Sequence, residues 1–186
     1  MHRGDKVLSA IQIRNLQTLG DREIQGLSDV LIDCVEGGAS VSFMLPMSRG
    51  KAAAYWHDIA ASMARGERVV LAAEDATGAI VGTVQVVLAQ TENQAHRGDI
   101  AKMLVHRRAR RRGVGAALLA AAEESALRAG KTLLVLDTAS ADAERLYVRQ
   151  GWRLCGQIPN YALWPDGSAC ATTIYFKSLH NCAQCA

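Results

Sequence analysis

The feature that most constrains this fold is an arginine- and glycine-rich loop between an apolar run and a helix. Residues 99–105 have the pattern of a strand, residues 110–116 read RRRGVGA, and residues 113–129 have the alanine- and leucine-rich composition of a helix. Glycine lets the backbone approach a ligand closely, and the first turn of a helix presents unpaired N–H groups. The segment therefore predicts an anion site at a strand-to-helix turn, suited to a phosphate or pyrophosphate.

The remaining apolar patterns place this loop inside a mixed α/β (α+β) sheet. The predicted strands cover residues 9–14, 68–74, 79–88, 99–105, 132–137, 153–158 and 171–177, and the predicted helices cover residues 21–35, 48–66, 113–129 and 140–150. The order β-α-α-β-β-β-α-β-α-β-β gives a mostly antiparallel sheet of about seven strands with helices on both faces. The strand-helix-strand unit over residues 99–137 predicts a right-handed parallel crossover. The apolar run 132–137 predicts a central strand buried on both faces.

Length and composition favour a single globular domain. The chain has 186 residues, of which 49% are hydrophobic and 21% charged, and this balance excludes a disordered chain. We expect one domain over residues 1–186, with a core at about 9–178 and a disordered tail at 179–186. No apolar stretch has the length of a membrane span and no secretory leader is recognisable, so we expect a cytoplasmic protein with no membrane partner.

The charge pattern points to a phosphorylated ligand. The net charge is only +3, yet residues 106–112 contain five arginines. Nucleic-acid binders usually spread basic residues over a face and interleave aromatic side chains, which this loop lacks, so we expect no nucleic-acid partner. The sequence motif Cys182-Ala-Gln-Cys185 stands at the C-terminus, where we expect a frayed tail with reduced thiols and no metal site.

Two motifs at this spacing resemble the GNAT superfamily of acyl-CoA-dependent N-acetyltransferases. The loop matches the superfamily signature as Arg110-x-x-Gly113-x-Gly115, and residues 146–152, LYVRQGW, match its L-Y-x-x-x-G-[F/W] pattern. Residues 37–44, 136–138, 165–167 and 173–177 are further similar to the tabtoxin-resistance acetyltransferases. Those enzymes acetylate an amine on a small β-lactam amino-acid toxin.

The resemblance implies that acetyl-CoA is a co-substrate and that the acceptor is the amine of a small molecule, with direct transfer in a ternary complex. Its signature implies backbone contacts from the fourth strand to the pantetheine arm and from the glycine loop to the pyrophosphate. Ser140 stands where many members have an asparagine that binds the pantetheine. The implied cofactor contacts are Met103, Leu104, Val105, Arg110, Arg111, Arg112, Gly113, Val114, Gly115, Ala116 and Ser140.

Three residues are candidates for the chemistry. Tyr147 matches the general-acid tyrosine of the superfamily, and a phenol keeps its proton at neutral pH. Asp99 begins the fourth strand, where alternation would put it on one face with Met103. The resemblance implies a base here, because histone-acetylating members have a glutamate at this point of the motif, so Asp99 is the preferred base. Asp137 ends an apolar run in which a carboxylate is costly to bury, so it could anchor an ammonium or act as the base. A solvated strand-end acid (Asp99) and a helix N-terminal acid (Asp137) remain the alternatives.

The acceptor is less constrained than the cofactor. The resemblance places residues 37–44 and 160–162 on the acceptor side. A protein or peptide N-acetyltransferase, which would need an open acceptor groove, and a non-catalytic acyl-CoA sensor remain alternative functions. The resemblance is compatible with a monomer or a homodimer.

Overall fold

The computed structural model describes residues 11–179, and its elements follow the predicted order. The strands are β1 Gln12–Leu16, β2 Arg68–Glu74, β3 Ile80–Val87, β4 Arg97–Val105, β5 Leu133–Thr138, β6 Arg153–Leu163 and β7 Ala169–Ser178. The helices are α1 Asp21–Glu36, α2 Arg49–Ala64, α3 Val114–Arg128 and α4 Ala141–Arg149. Short 3-10 turns occupy Glu92–Gln94 and Arg107–Ala109.

All seven strands form one sheet in the order β1-β2-β3-β4-β5-β7-β6. Neighbouring strands are antiparallel except β4 and β5, which run parallel because α3 carries the chain back across the sheet. This is the predicted mixed, mostly antiparallel sheet with one crossover. Among residues 11–179, the one parallel pair therefore lies in the middle of the sheet, next to the glycine loop.

Helices cover both faces of the sheet, as predicted. On one face, α1 and α2 pack with Val70 and Leu104 around the buried Trp56, and we call this the α1–α2 face. On the other face, α3 packs with Leu134 of β5 and with Tyr147 of α4, and we call this the α3–α4 face. Each layer buries apolar side chains that recur at helical spacing, which accounts for most of the stability of such helices.

The helix ends follow the sequence signals closely. Ser48 caps α2, with its Oγ accepting a hydrogen bond from the Lys51 N–H at 3.2 Å. Gly113 precedes α3 with φ of 80°, and Gly130 follows α3 with φ of 75°. Glycine is favoured at both positions because other residues rarely adopt this left-handed conformation.

Three expectations about burial and element ends were wrong. Strand β5 is buried on one face only: Leu134 and Leu136 face the α3–α4 core, whereas the alternate residues are partly or fully exposed. Strand β6 continues to Leu163 because β7 provides a partner along its length. Leu179, expected to begin a disordered tail, is buried and its N–H donates to the Thr132 carbonyl at 2.8 Å. Residues 9–10 of the first predicted strand and residues 180–186, with Cys182 and Cys185, lie outside the described residues.

Within residues 11–179, no helix combines the length and the hydrophobicity needed to cross a membrane.

Candidate functional site

Strands β4 and β5 separate part-way along the sheet. They pair only at Arg97–Leu133, Gly98–Leu134 and Asp99–Val135, although β4 continues to Val105 and β5 to Thr138. Beyond the last pair, the facing edges of the two strands have no ladder partner in the sheet. An extended ligand can bind such an edge through main-chain hydrogen bonds, as an added strand does. We call this gap the β4–β5 notch.

A β-bulge in β4 accompanies the separation. Thr83 pairs with Leu104 and Gln85 pairs with Ala101, so two residues of β4, Lys102 and Met103, stand opposite one residue of β3. Lys102 takes φ of 49°, in the left-handed region that is uncommon outside glycine.

The bulge changes which side chains share a face. Ile100 and Met103 both contact the α3–α4 core, whereas Leu104 belongs to the α1–α2 core. Asp99, adjacent to Ile100 on a regular stretch of strand, therefore points to the α1–α2 face. The expectation that Asp99 and Met103 share a face was wrong, because the extra residue inverts the alternation between them.

The glycine loop beyond β4 forms a concave row of backbone N–H groups. Arg111 and Gly113 both have positive φ, at 59° and 80°, a backbone pattern that points successive N–H groups to one side. The first hydrogen bond of α3 runs from the Ala117 N–H to the Gly113 carbonyl at 3.0 Å, so the preceding amides have no intrahelical acceptor. A side chain added at Gly113 would meet no atom within 4 Å. The loop is thus open enough to receive a phosphate.

The two glycines of the signature, Gly113 and Gly115, have different surroundings. A Cβ at Gly115 would lie 3.1 Å from Leu146 Cδ2, so this glycine lets α3 pack tightly against α4. Sequence patterns assigned both glycines to the approach of a ligand. In the structure Gly115 is required by packing, whereas the loop is open at Gly113, where the approach of a ligand stays a prediction. Val114 is buried beneath the loop, and Ala116 is half-buried in the first turn of α3.

Most arginine side chains before the loop are directed at protein groups. The Arg107 N–H and Nε donate to the Asp33 carboxylate at 2.8 and 2.9 Å, and Arg108 lies 3.6 Å from Asp75. The Arg110 Nε donates to the Val105 carbonyl at 3.2 Å, which ties the loop to the end of β4. Arg111 and Arg112 are exposed on the loop itself. The loop therefore presents chiefly backbone groups, with positive charge around them.

Tyr147 is the second residue of the motif LYVRQGW and lies in the α3–α4 core. Its ring is buried against Trp152 and Tyr175, with both ring centroids 5.9 Å away. Its hydroxyl donates to no residue in the described part of the chain. It is also not one of the fully buried polar atoms that lack a hydrogen-bond partner. Burial raises the pKa of Tyr147, and the negative charge of Asp137 raises it further. The phenol therefore holds its proton through the neutral range and can donate it to a ligand.

The two candidate carboxylates have different surroundings. Asp99 accepts hydrogen bonds from Gln90 Nε2 at 2.9 Å and Arg97 Nη2 at 3.3 Å, at the start of β4. Asp137 is exposed at the end of β5, next to Ile174 of β7. The expectation of a buried Asp137 was wrong, because β5 leaves this face uncovered at its end. No hydrogen bond or ion pair joins the two acids within the described residues.

Ser140 is the N-cap of α4. Its Oγ accepts a hydrogen bond from the Ala143 N–H at 3.4 Å, and its side chain is exposed. A serine in this position is explained by the capping interaction alone. A contact between Ser140 and the pantetheine stays a prediction.

Sequence patterns did not predict the polar cluster on the α1–α2 face. Lys102 Nζ donates to Ser42 Oγ at 3.0 Å and lies 5.8 Å from the centre of the Tyr55 ring. Gln85 donates to the Tyr55 hydroxyl at 3.0 Å and accepts from Arg68 Nη1 at 2.5 Å. The one available signal was a lysine inside the otherwise apolar run IAKMLV. The bulge that orients it depends on pairing with β3 and has no local signature.

The loop between α1 and α2 contacts the β6–β7 hairpin beside this cluster. The Leu45 N–H donates to the Pro165 carbonyl at 3.1 Å, and Ser40 Oγ donates to the Leu163 carbonyl at 2.8 Å. Cys170 Sγ lies 3.5 Å from Ser40 Oγ. These bonds join the α1–α2 loop, which contains residues 37–44, to the part of the hairpin that follows residues 160–162, so the two segments expected to border the acceptor lie near each other. Tyr161 is 58% exposed at this edge.

In the described residues no three His, Cys, Asp or Glu side chains converge as metal ligands would. The polar groups around the notch are backbone amides, a phenol, carboxylates and a lysine. This set can bind an anion, supply a proton and accept one.

Comparison with known proteins agrees with this architecture. The model of the acetyltransferase (GNAT) family matches residues 42–152. A ribosomal-protein-alanine N-acetyltransferase from Brucella melitensis is 22% identical, with a TM-score of 0.77 over 90% of this chain and 99% of the other. A phosphinothricin acetyltransferase from Sinorhizobium meliloti, in complex with acetyl-CoA, is 17% identical, with a TM-score of 0.74 over 91% and 88%. An N-acetyltransferase from Staphylococcus aureus is 15% identical, with a TM-score of 0.76 over 92% and 100%. At these identities the likeness establishes the fold.

Proposed function

This chain belongs to the acetyltransferase (GNAT) family, and from that premise we propose that it moves an acetyl group from acetyl-CoA to the amine of a small molecule. The observation that carries the proposal is the β4–β5 notch, which leads directly to the backbone anion site at Gly113. A ligand with an extended amide arm and a pyrophosphate needs both features in this order. The chain supplies them on one continuous segment, from Met103 to Ala116.

The cofactor contacts divide by chemistry. The edge of β4 at Met103, Leu104 and Val105 would pair with the pantetheine arm, and one of its amides would polarise the thioester carbonyl. The loop from Arg110 to Ala116 would bind the pyrophosphate through backbone N–H groups and the positive end of α3. The open space at Gly113 supports this placement, because a phosphate needs close access to the backbone.

The transfer itself needs one base and one acid. The amine nitrogen attacks the thioester carbon, a C–N bond forms and the C–S bond breaks, so the amine loses a proton and the departing thiolate gains one. Tyr147 is the proposed acid, since its phenol is protonated and has no acceptor in the described protein. Asp99 is the proposed base, directly or through a water molecule, and Asp137 is the proposed anchor for the ammonium form of the acceptor.

The acceptor side favours a small molecule over a protein substrate. The α1–α2 loop and the β6–β7 hairpin are hydrogen-bonded to each other through Leu45–Pro165 and Ser40–Leu163, so this side is bordered by a continuous wall. A peptide acceptor would need an open groove. The similarity of residues 37–44 and 165–167 to the tabtoxin-resistance acetyltransferases supports an amino-acid-like toxin or antibiotic as acceptor.

The decisive experiment is a screen of amines with acetyl-CoA, in which release of the free thiol is measured. We expect turnover with a subset of small amines and initial-rate patterns of a ternary complex. Peptides with free N-termini belong in the same screen. Turnover with peptides alone would replace the proposal by a peptide N-acetyltransferase. Tight binding of acetyl-CoA with no turnover on any amine would indicate a sensor.

A further inference from the structure

Lys102 is placed on the acceptor side by an unusual stretch of backbone. It sits at the bulge of β4 with φ of 49°, one residue before Met103, whose side chain packs toward the α3–α4 core. The bulge sends the Lys102 side chain to the other face, where it meets Ser42 of the α1–α2 loop and the ring of Tyr55. A regular strand would not send both Ala101 and Lys102 to one face.

The ammonium of Lys102 has only neutral contacts. Its hydrogen-bond partner is the Ser42 hydroxyl at 3.0 Å, and the Tyr55 ring lies 5.8 Å below it. Throughout residues 11–179, no carboxylate lies within 4 Å of Lys102 Nζ. The side chain is half-buried. Withdrawing an ammonium from water is costly unless the charge is paired, so Lys102 has capacity for an anionic partner.

A second cation reinforces the positive potential. Arg68 is half-buried on the same face, and its guanidinium donates to two neutral oxygens, Ser62 Oγ at 3.1 Å and Gln85 Oε1 at 2.5 Å. Gln85 in turn donates to the Tyr55 hydroxyl beneath Lys102. Burial lowers the pKa of Lys102; the charge of Asp137 raises it, and the charge of Arg68, a smaller effect, lowers it. A bound anion would relieve this electrostatic cost.

The notch thus has a negative charge on β5, at Asp137, and a positive charge on β4, at Lys102. Asp137, exposed at the end of β5, interacts with the Lys102 ammonium through its charge but forms no ion pair with it. A ligand with an ammonium and an acid group could satisfy both side chains at once. A simple alkylamine would interact with Asp137 and leave the Lys102 ammonium with no anion in contact with it.

We infer that the acceptor carries an oxyanion, such as a carboxylate, in addition to its amine, and that Lys102 binds this oxyanion. The inference rests on the proposed function, because it names the acceptor class for the same site. Lys102 then determines specificity: it contacts the acceptor, at a distance from the atoms that react. Ser42 and Tyr55 hold its side chain in place through the contacts above.

The test compares acidic amines with their neutral analogues. Each α-amino acid in the thiol-release screen is paired with its carboxamide, which has the same side chain. Because the amide has the lower amine pKa, KM is compared in terms of the free-amine concentration. For the wild-type protein we expect KM values at least about tenfold lower for the acids, in the range of a charge-assisted hydrogen bond. Equal KM values for acids and amides would overturn the inference while leaving the proposed function in place. No turnover with any amine would overturn both.

Variants then assign the preference to Lys102. Lys102→Gln should raise KM for the acids about tenfold, with little change in kcat or in KM for the amides. Lys102→Arg should retain the preference.

Lys51→Gln is the matched control, because Lys51 is an exposed lysine of the same face, with its ammonium 5.7 Å from the Phe43 ring. An unchanged acid preference in a folded Lys102→Gln protein, or an equal loss in Lys51→Gln, would contradict the assignment. If Lys102→Gln does not fold, the KM values of the wild type and of Lys102→Arg for acids and amides still test the inference.

Discussion

At the scale of single residues, the combination of a buried ring and an available hydroxyl singles out Tyr147. The neighbouring Tyr175 is equally buried, yet its hydroxyl lies 3.2 Å from Glu144 Oε2 and is occupied. The hydroxyl of Tyr147 has no such partner in the described residues. The difference between two tyrosines 5.9 Å apart therefore lies in what each hydroxyl can reach.

We expect Tyr147→Phe to lower kcat about tenfold or more, with little effect on acetyl-CoA affinity, because only the phenolic proton donor is lost. Steady-state kinetics and calorimetric titration of acetyl-CoA measure the two effects. Tyr175→Phe is the control and should retain turnover. Since burial raises the pKa of Tyr147, its deprotonation should contribute no basic limb to the pH profile below about pH 10. Unchanged turnover in Tyr147→Phe would show that another group protonates the thiolate.

The two carboxylates should have separable effects. Asp99→Asn removes a proton acceptor and should depress kcat, whereas Asp137→Asn removes a charge partner and should mainly raise KM for the amine. A base must be deprotonated to act, so the rate should fall at low pH in the wild type, and this acidic limb should flatten in Asp99→Asn alone. The kcat pH profiles of the three proteins provide the measurement. Loss of the limb in Asp137→Asn, with Asp99→Asn retaining it, would reverse the assignment.

At the scale of elements, α3 and the loop before it form the proposed pyrophosphate site. Both ends of α3 carry a glycine with positive φ, Gly113 at 80° and Gly130 at 75°, and an added Cβ meets nothing within 4 Å at either. The backbone requirement is thus the same at the two ends. Only the N-terminal end faces the β4–β5 notch and carries the positive end of the helix dipole.

Because Gly113 and Gly130 have similar backbone conformations, they provide a matched pair of variants. Gly113→Glu and Gly130→Glu should each cost about 1–2 kcal/mol of unfolding free energy through backbone strain. Only Gly113→Glu should weaken acetyl-CoA binding, by about tenfold or more, because its carboxylate would oppose the pyrophosphate. Urea unfolding and calorimetric titration measure stability and binding. Equal acetyl-CoA affinity in the two folded variants would place the pyrophosphate elsewhere.

Asp33 links α1 to the turn that precedes this loop. Burial by itself raises the pKa of Asp33, but the hydrogen bonds from Arg107 and the charges of His106 and Arg107 lower it below the ordinary value of 3.8. A lowered pKa means that ionised Asp33 stabilises the fold above about pH 4, and that this contribution is lost as the pH falls through its folded pKa.

Asp33→Asn should therefore cost about 1–2 kcal/mol of unfolding free energy at pH 7, where it removes charge-assisted hydrogen bonds to Arg107. The difference from the wild type should shrink as the pH falls below 3.8, the ordinary aspartate value. Urea unfolding across this pH range provides the measurement. Asp29→Asn is the control, since Asp29 pairs with Arg49 at an exposed site and should matter little. A pH-independent difference would mean that the Asp33 charge is not what stabilises the turn.

At the scale of the whole molecule, the sheet joins two helical layers and opens between β4 and β5. The α1–α2 layer borders the proposed acceptor side, and the α3–α4 layer carries the glycine loop and Tyr147. A ligand held in the notch would contact both halves of the sheet. Binding should therefore stabilise the entire fold.

Acetyl-CoA at about 100 times its Kd should add about 2.7 kcal/mol of stability, which corresponds to a rise in Tm of about 5–10 °C for a chain of this size. Differential scanning calorimetry measures the shift. Adenosine 3′,5′-bisphosphate, which lacks the pantetheine arm that would pair with β4, should give a smaller shift at equal concentration. An equal shift with both ligands would show that the β4 edge does not contribute to binding.

The amino-acid sequence by itself determined the order of the elements and the place of the glycine loop. Apolar spacing, Ser48 as a helix cap and Gly113 before α3 act through neighbours a few residues away, so their effects can be predicted from local patterns. The motif around Tyr147, residues 146–152, is likewise a local pattern. The role of Tyr147 as a general acid stays a prediction.

Tertiary structure decided which side chains meet at the site. The bulge at Lys102 depends on the register between β3 and β4, and the exposure of Asp137 depends on where β4 and β5 separate. The hydrogen bond between Leu45 and Pro165 joins the α1–α2 loop to the β6–β7 hairpin. Each of these is a pairing between distant segments, set by packing of the whole sheet. A one-residue shift in register moves a side chain to the opposite face, so local sequence could not predict it.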